Sequence, residues 1–140
     1  MLKLFIKVVS LALFSVSVSA VTLKISTAYP DGTSILNTFR AAADEIERDT
    51  QGRVKMRFYP GGVMGDDQAV LRKVRIGQLH GAIIQTGLFA DVYRDSQIYN
   101  APMLFRDFDE VDYIRSKFDQ TIIDGYEAGG WNTFGLMEGG

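Results

Sequence analysis

One segment of the chain constrains the fold most, because glycines and acidic residues in it separate two stretches of strand-forming residues. It begins with Phe58-Tyr-Pro-Gly-Gly-Val-Met-Gly-Asp-Asp67 and ends with Gly77-Gln-Leu-His-Gly-Ala-Ile-Ile-Gln-Thr86. This order predicts a strand, a glycine-rich turn, an acid-capped helix and a buried strand. A right-handed unit of this kind lays its two strands parallel. Ligands of such sheets bind beyond the carboxyl ends of the strands, so residues 60–67 and 85–88 are where we expect the site.

The residues around this unit predict an α/β fold. Residues 22–27 predict a first strand, and Thr33 or Ser34 can cap a helix that runs to about residue 51, where Gly52 stops it. The predicted inner face of this helix is Ile35, Phe39, Ala42 and Ile46. Residues 54–58 alternate apolar and basic side chains, as strands near a sheet edge do, whereas residues 81–84 are apolar on both faces and predict a central strand.

The last third of the chain predicts a long helix and one more strand. Asp107 is expected to cap a helix that continues to about Ala128 and stops at Gly129 and Gly130. Its predicted inner stripe is Phe108, Val111, Ile114, Phe118 and Ile122. Residues 131–137 predict a strand. Since a β/α chain seldom stops directly after a strand, we expect residues 21–140 to be the N-terminal part of a longer protein.

The first twenty residues differ in composition from the rest. Lys3 and Lys7 precede an apolar run over residues 8–18, and Val18 and Ala20 supply the −3 and −1 positions of a signal-peptidase site. A membrane anchor and a buried helix are the alternatives, but the run is shorter than the roughly 20 residues that span a bilayer. We expect residues 1–20 to be a cleaved signal peptide and the protein to leave the cytoplasm.

Composition excludes several classes of function. Without residues 1–20 the chain has 13 basic and 17 acidic side chains, and such an acidic balance argues against nucleic-acid binding. The absence of cysteine excludes disulfides and thiolate metal sites. His80 is the single histidine and no Gly-x-Ser-x-Gly elbow is present, so no nucleophilic set is supported and we expect no enzyme. No metal and no cofactor are expected.

Two acids follow the glycine-rich turn and have different predicted roles. Asp66 is expected to cap the helix by accepting a backbone N–H bond. Asp67 lies one step further on, where it either complements the helix dipole or lines the crevice. The turn itself is no phosphate cradle, since it lacks the Lys-Ser/Thr of a Walker loop and its acids would repel a phosphate.

Further candidates for ligand binding lie at the same predicted rim. Gln85 and Thr86 end an apolar strand, where a polar pair either orients a ligand or satisfies the strand end. Gly87 follows them and allows close approach of another group. Tyr29, in the loop after the first strand, can stack on a ligand or lie on the surface. Glu138, at the end of the last predicted strand, points to this rim by topology alone.

The order of these motifs resembles a known family. The motifs are Tyr29-Pro-Asp-Gly32, Thr50-Gln-Gly-Arg53, Phe58-Tyr-Pro60, Met64-Gly-Asp-Asp67, Leu71 to Gly77 and Ala101-Pro-Met-Leu-Phe105. They look like those of the solute-binding subunit of tripartite ATP-independent periplasmic (TRAP) transporters, of the dicarboxylate-binding (DctP) type. The resemblance implies the N-terminal lobe of a monomeric two-lobed periplasmic binding protein, a mostly parallel twisted sheet with helices on both faces. It also implies that an organic acid is held between the two lobes, and that the lobes close on it and then dock on the membrane permease subunits.

The resemblance also implies which residues contact the ligand. The matching positions in this chain are Ala28, Tyr29, Asp67, Gln85 and Thr86. Relatives that bind amino sugar acids can carry an acid at position 85, so glutamine leaves the ligand class open. The arginines that clamp the ligand's carboxylate lie beyond residue 140 in the family, and Arg94 and Arg106 do not match them. The alternatives are a secreted α/β enzyme with catalytic residues beyond residue 140, and a sensor or ATP-driven transporter lobe.

Overall fold

The structure, a computed structural model, describes residues 19–137. The predicted signal peptide therefore lies almost wholly outside the described residues. The described part contains three strands, three α-helices and two 3₁₀-helices, in the order β1 (Val21–Thr27), α1 (Ser34–Asp49), β2 (Val54–Tyr59), α2 (Asp67–Arg75), β3 (Gly81–Ile83), first 3₁₀-helix (Thr86–Phe89), second 3₁₀-helix (Arg94–Asn100) and α3 (Phe108–Ala128). Between residues 19 and 137, no helix is long and apolar enough to cross a bilayer.

The three strands form one parallel sheet in the order β2-β1-β3. Helix α1 connects β1 to β2, and α2 then leads back past β1 to β3. Right-handed crossovers that run in opposite directions cover opposite faces of a sheet, so α1 and α2 lie on different faces. The prediction of an α/β lobe with a parallel sheet and helices on both faces is confirmed.

The prediction that residues 81–84 form the central strand is wrong for the part of the chain that the structure describes. β1 is central, and β3 has only three residues and lies at the edge opposite β2. Ser26 and Thr27 at the end of β1 are buried, whereas every residue of β3 is half-buried. An apolar pattern shows that both faces of a strand are covered. It does not show whether one or both edges of the strand pair with a neighbouring strand.

The core side of α1 is displaced by one residue from the prediction. Leu36 and Ala43 are its buried residues, and Phe39 contacts Phe58 of β2 with ring centroids 6.4 Å apart. Ala42, predicted to face inward, is exposed. Both faces satisfy the helical period, and the exact position of the sheet against the helix decided between them.

The predicted helix ends agree with the structure where a nearby side chain caps the helix or a glycine ends it. The Asp107 carboxylate accepts from the backbone N–H of Glu110 at 3.0 Å and caps α3. Gly52 and Gly130 follow α1 and α3 with φ of 75° and 85°, a conformation that glycine adopts without strain. Thr33 is the N-cap residue of α1 by its backbone, but its hydroxyl donates to the Pro30 carbonyl instead of to the helix.

Helix α3 is buried only along its C-terminal half. Ile122 and Tyr126 are 2% and 3% exposed, and the Phe89 ring lies 4.9 Å from the Tyr126 ring. Phe108 and Phe118, predicted to face inward, are 75% and 43% exposed. The 3₁₀-helices pack on the C-terminal half of α3, and neither ring is buried among residues 19–137, so their predicted burial is wrong for the described part.

The predicted strand over residues 131–137 is also wrong. This segment has no regular secondary structure, because no strand among residues 19–137 pairs with its backbone. Side chains of helices hold it instead: Arg115 of α3 donates to the Leu136 carbonyl at 2.7 Å. The Arg75 guanidinium of α2 lies over the Trp131 ring, 5.4 Å from its centroid.

Gly125 of α3 is expected to resist substitution even though alanine is the better helix former. A Cβ atom at Gly125 would lie 2.5 Å from the Tyr93 ring, at the end of the ring nearest its backbone. Overpacking of this kind costs about 1–3 kcal/mol and exceeds the roughly 1 kcal/mol that alanine gains over glycine in helix propensity. We expect Gly125→Ala to lower the free energy of unfolding of the full-length protein, measured by urea denaturation.

Two further variants separate packing from helix propensity at this site. Gly135→Ala is a control outside the helices, because a Cβ atom there would meet no heavy atom within 4 Å, and it should not lower the stability. In a Tyr93→Ala background the clash is gone, so Gly125→Ala should become stabilising. A stabilising Gly125→Ala with Tyr93 intact would contradict the close packing of Tyr93 on α3.

Candidate ligand site at the carboxyl ends of the strands

The carboxyl ends of all three strands meet at one edge of the sheet. Thr27 of β1 pairs with Ile83 of β3, so the residues that follow these two strands leave the sheet side by side. The loop after β2 is joined to the loop after β1 by two backbone bonds. Gly61 N–H donates to the Tyr29 carbonyl at 2.9 Å, and Gly62 N–H donates to the Thr27 carbonyl at 3.2 Å.

The loop after β1 carries Ala28, which is exposed, and Tyr29, which is half-buried. Tyr29 N–H donates to the hydroxyl oxygen of Thr27 at 3.1 Å. Further along the loop, one oxygen of Asp31 accepts from Arg40 of α1 at 2.6 Å and from the N–H of the next residue at 2.8 Å. The Arg40 hydrogen bond, and next that backbone bond, lower the pKa of Asp31. The loop that presents Tyr29 is thereby attached to α1.

The glycine-rich turn after β2 divides the roles of its two acids. Gly61 and Gly62 adopt φ of 66° and 69° and reverse the chain toward α2. The Asp66 carboxylate accepts from Ala69 N–H at 2.7 Å, so its prediction as the N-cap is confirmed. Asp67 is the first residue of α2 and is half-buried. Its carboxylate makes no hydrogen bond or ion pair to any residue between 19 and 137, so it can still accept a hydrogen bond from outside.

Gln85 and Thr86 follow β3 and differ in the hydrogen bonds that their side chains make within the protein. Gln85 is exposed, and its side chain makes no hydrogen bond within the described part of the chain. Thr86 is half-buried, and its hydroxyl oxygen accepts from the Asn100 amide at 3.1 Å. A Cβ atom at Gly87 would lie 3.1 Å from the same amide, so the close neighbour predicted for Gly87 is Asn100.

Sequence reasoning missed Asn100. It lies 14 residues after Thr86, at the end of the second 3₁₀-helix, and its own surroundings resemble an ordinary loop. The single signal was Gly87, which indicated that something approaches closely but not which residue. The contact depends on how the second 3₁₀-helix folds back on the end of β3, and that is a tertiary feature.

Other groups lie away from this edge. Glu138 falls outside the described residues, so its predicted place on the rim is not located. His80 is at the opposite end of β3, exposed, where its Nδ1 accepts from Lys24 N–H at 3.1 Å. An open concavity of about 970 Å³ lies between the second 3₁₀-helix and α3, and none of the predicted contacts lines it. Among residues 19–137 no group of three or more His, Cys, Asp or Glu could hold a metal ion.

The edge therefore brings together loops from three strands in an arrangement typical of ligand-binding α/β lobes, and comparison with known proteins agrees. Residues 25–140 match the model of the DctP family, the bacterial extracellular solute-binding proteins of family 7. The chain belongs to this family. A curated relative of this DctP-family chain is the sialic acid-binding periplasmic protein SiaP of Vibrio cholerae, 27% identical over 123 residues, which are 87% of the chain and 38% of SiaP. The chain thus spans less than half of that relative.

Solved structures share the fold of this lobe. A TRAP periplasmic solute-binding protein from Sulfurospirillum deleyianum with bound succinate superimposes with a TM-score of 0.72 at 19% identity, over 80% of this chain and 36% of that one. A second such protein, from Pseudomonas putida F1 with bound D-glucuronate, gives a TM-score of 0.69 at 23% identity, over 76% of this chain and 35% of that one. A third, from Polaromonas with bound D-erythronate, gives a TM-score of 0.68 at 24% identity, over 78% of this chain and 36% of that one. The recognition of a TRAP-type solute-binding lobe from the sequence is confirmed.

Proposed function

We propose that this chain is the first lobe of an extracytoplasmic receptor that captures an organic acid and delivers it to the membrane permease of a TRAP transporter. The observation that carries the proposal is the common edge of the three strands, where Asp67 and Gln85 have no partner among residues 19–137 although every strand end points there. Polar side chains left unsatisfied at the mouth of a parallel sheet are typical of a ligand site. The receptor acts by binding and carries out no catalysis.

The proposed contacts are Ala28, Tyr29, Asp67, Gln85, Thr86 and Glu138. None of these six side chains is positively charged, so none of them can neutralise a carboxylate. The Asp67 carboxylate only accepts hydrogen bonds, the Gln85 amide donates and accepts, and the Thr86 hydroxyl does both. These groups suit the hydroxyl or other uncharged end of an acid. Its carboxylate then faces the second lobe, which we propose follows residue 140.

The acids bound by related proteins support this ligand class. Structures that share the fold hold succinate, D-glucuronate and D-erythronate, and each of these ligands carries a carboxylate. The related protein of Vibrio cholerae is named for sialic acid, which is also a carboxylate. We extend the class, an organic acid, to this chain. The same relatives are periplasmic, which supports our proposal that residues 1–20 direct export to the periplasm. We further propose that the receptor works as a monomer.

A panel of acids tests the proposal. The full-length protein should be stabilised against heat by at least one of D-glucuronate, D-erythronate, succinate and sialic acid. A ligand that binds only the folded state adds about 2.7 kcal/mol at a concentration of 100 Kd, so the melting temperature should rise with ligand concentration. D-glucose is a matched control for D-glucuronate, since it has a hydroxymethyl group in place of the carboxylate, and should give no shift. No shift with any acid, or chemical turnover of one, would contradict the receptor function.

A further inference from the structure

The Thr86 hydroxyl has one hydrogen that the protein leaves unused. Its oxygen accepts from Asn100 Nδ2 at 3.1 Å. A hydroxyl can still donate its single hydrogen while its oxygen accepts. No residue among 19–137 accepts that hydrogen, and Thr86 is only half-buried at the edge where the strands end. The hydrogen bond from Asn100 therefore leaves the Thr86 O–H as a donor to a group from outside.

The second 3₁₀-helix also holds the backbone around Thr86. Gln97 Nε2 donates to the Gly87 carbonyl at 3.1 Å. The hydroxyl of Ser96, a fully buried residue, donates to the Tyr93 carbonyl at 2.8 Å and lies 3.4 Å from the Thr86 carbonyl. These bonds tie the backbone around Thr86 to the second 3₁₀-helix. The backbone is fixed, and the direction of the hydroxyl is then decided by Asn100.

We infer that Asn100 is a positioning residue that holds the Thr86 hydroxyl as a hydrogen-bond donor to an oxygen atom of the bound ligand. This inference rests on the proposed function, and it assigns a hydrogen-bond donor to the site. Asp67 can only accept, whereas Thr86 donates, so these two side chains together present one acceptor and one donor. A ligand with a hydroxyl group complements both, because a hydroxyl donates through its hydrogen and accepts through its oxygen.

A double-mutant cycle on the full-length protein tests the inference. The variants are Thr86→Val, Asn100→Ala and their combination. The affinity is measured by calorimetry with whichever of D-glucuronate, D-erythronate and succinate stabilises the wild type most. We expect Thr86→Val to raise Kd about tenfold and Asn100→Ala about fivefold. Because Asn100 acts through Thr86, adding Asn100→Ala to Thr86→Val should change Kd by less than about twofold.

Controls separate positioning from a loss of structure. Arg94→Ala changes an exposed residue of the same 3₁₀-helix and should leave Kd unchanged. The melting temperatures of all unliganded variants are measured beside the affinities, since a purely structural role of Asn100 would lower stability and give additive effects on Kd. Additive effects, or full affinity of Asn100→Ala, would overturn this inference alone. A wild type that binds none of these three acids and no sialic acid would overturn the proposed function and this inference with it.

Discussion

Replacing Ile122 with alanine is expected to lower the free energy of unfolding of the full-length protein by about 2–5 kcal/mol. Ile122 is 2% exposed and lies one turn before Tyr126, which is 3% exposed. The substitution removes three buried carbon atoms and leaves a cavity that α3 and the 3₁₀-helices cannot fill without moving. The loss should appear as a lower midpoint of urea denaturation with an unchanged slope.

Thr121→Ala is the matched control for this substitution. Thr121 is the neighbouring residue on α3 and is exposed, so its replacement should change the stability by no more than about 0.5 kcal/mol. The two variants truncate neighbouring β-branched side chains, one on the exposed face of the helix and one on its buried face. Equal losses for both would contradict the burial of Ile122. No loss for either would show that the C-terminal half of α3 is not part of the core.

The features of the fold that were predicted correctly depend on neighbours in sequence. The caps of α2 and α3 each join residues three apart, Asp66 with Ala69 and Asp107 with Glu110. The glycine that ends α1 needs only its own conformation. Such signals are complete within one turn of the chain, so composition and spacing were enough to find them.

The predictions that proved wrong depend on distant partners. Residues 131–137 have the composition of a strand, but a strand forms only where another strand offers its backbone. Phe108 fits the inner stripe of a helix, yet it is 75% exposed because no described element lies against that end of α3. The same limit applied to β3, whose apolar pattern predicted covered faces but not its place at the sheet edge.

The candidate site was predictable in position and only partly in detail. That ligands bind beyond the ends of parallel strands follows from topology, and the register of Thr27 with Ile83 brings those ends together. The sequence could not decide whether the Asp67 carboxylate complements the helix dipole or lines the crevice. In the structure Asp66 makes the cap and the Asp67 carboxylate has no hydrogen-bond partner among residues 19–137, so its two possible roles, at the helix dipole and at the ligand, both stay predictions.

Asp67→Ala is expected to weaken the binding of hydroxylated acids much more than it weakens the fold. Its carboxylate can accept a hydrogen bond from a ligand hydroxyl, and the loss of a bond to a charged group costs about 1.5–3 kcal/mol, which is tenfold or more in Kd. Succinate has no hydroxyl group, so its Kd should stay the same or fall once the negative charge is removed. If both acids bind the wild type, parallel calorimetric titrations should therefore show a higher Kd for D-glucuronate and no increase in Kd for succinate.

Asp66→Ala should give the reverse pattern and is the matched control. It removes the cap of α2, which costs about 1 kcal/mol of stability, while Kd for either acid should hardly change. Asp67→Ala removes only a favourable interaction with the helix dipole, about 0.3–1 kcal/mol. If Asp67→Ala lowered the melting temperature and left both affinities intact, Asp67 would serve the helix, and the hydroxyl end of the ligand would have to be recognised by Gln85 and Thr86 without it.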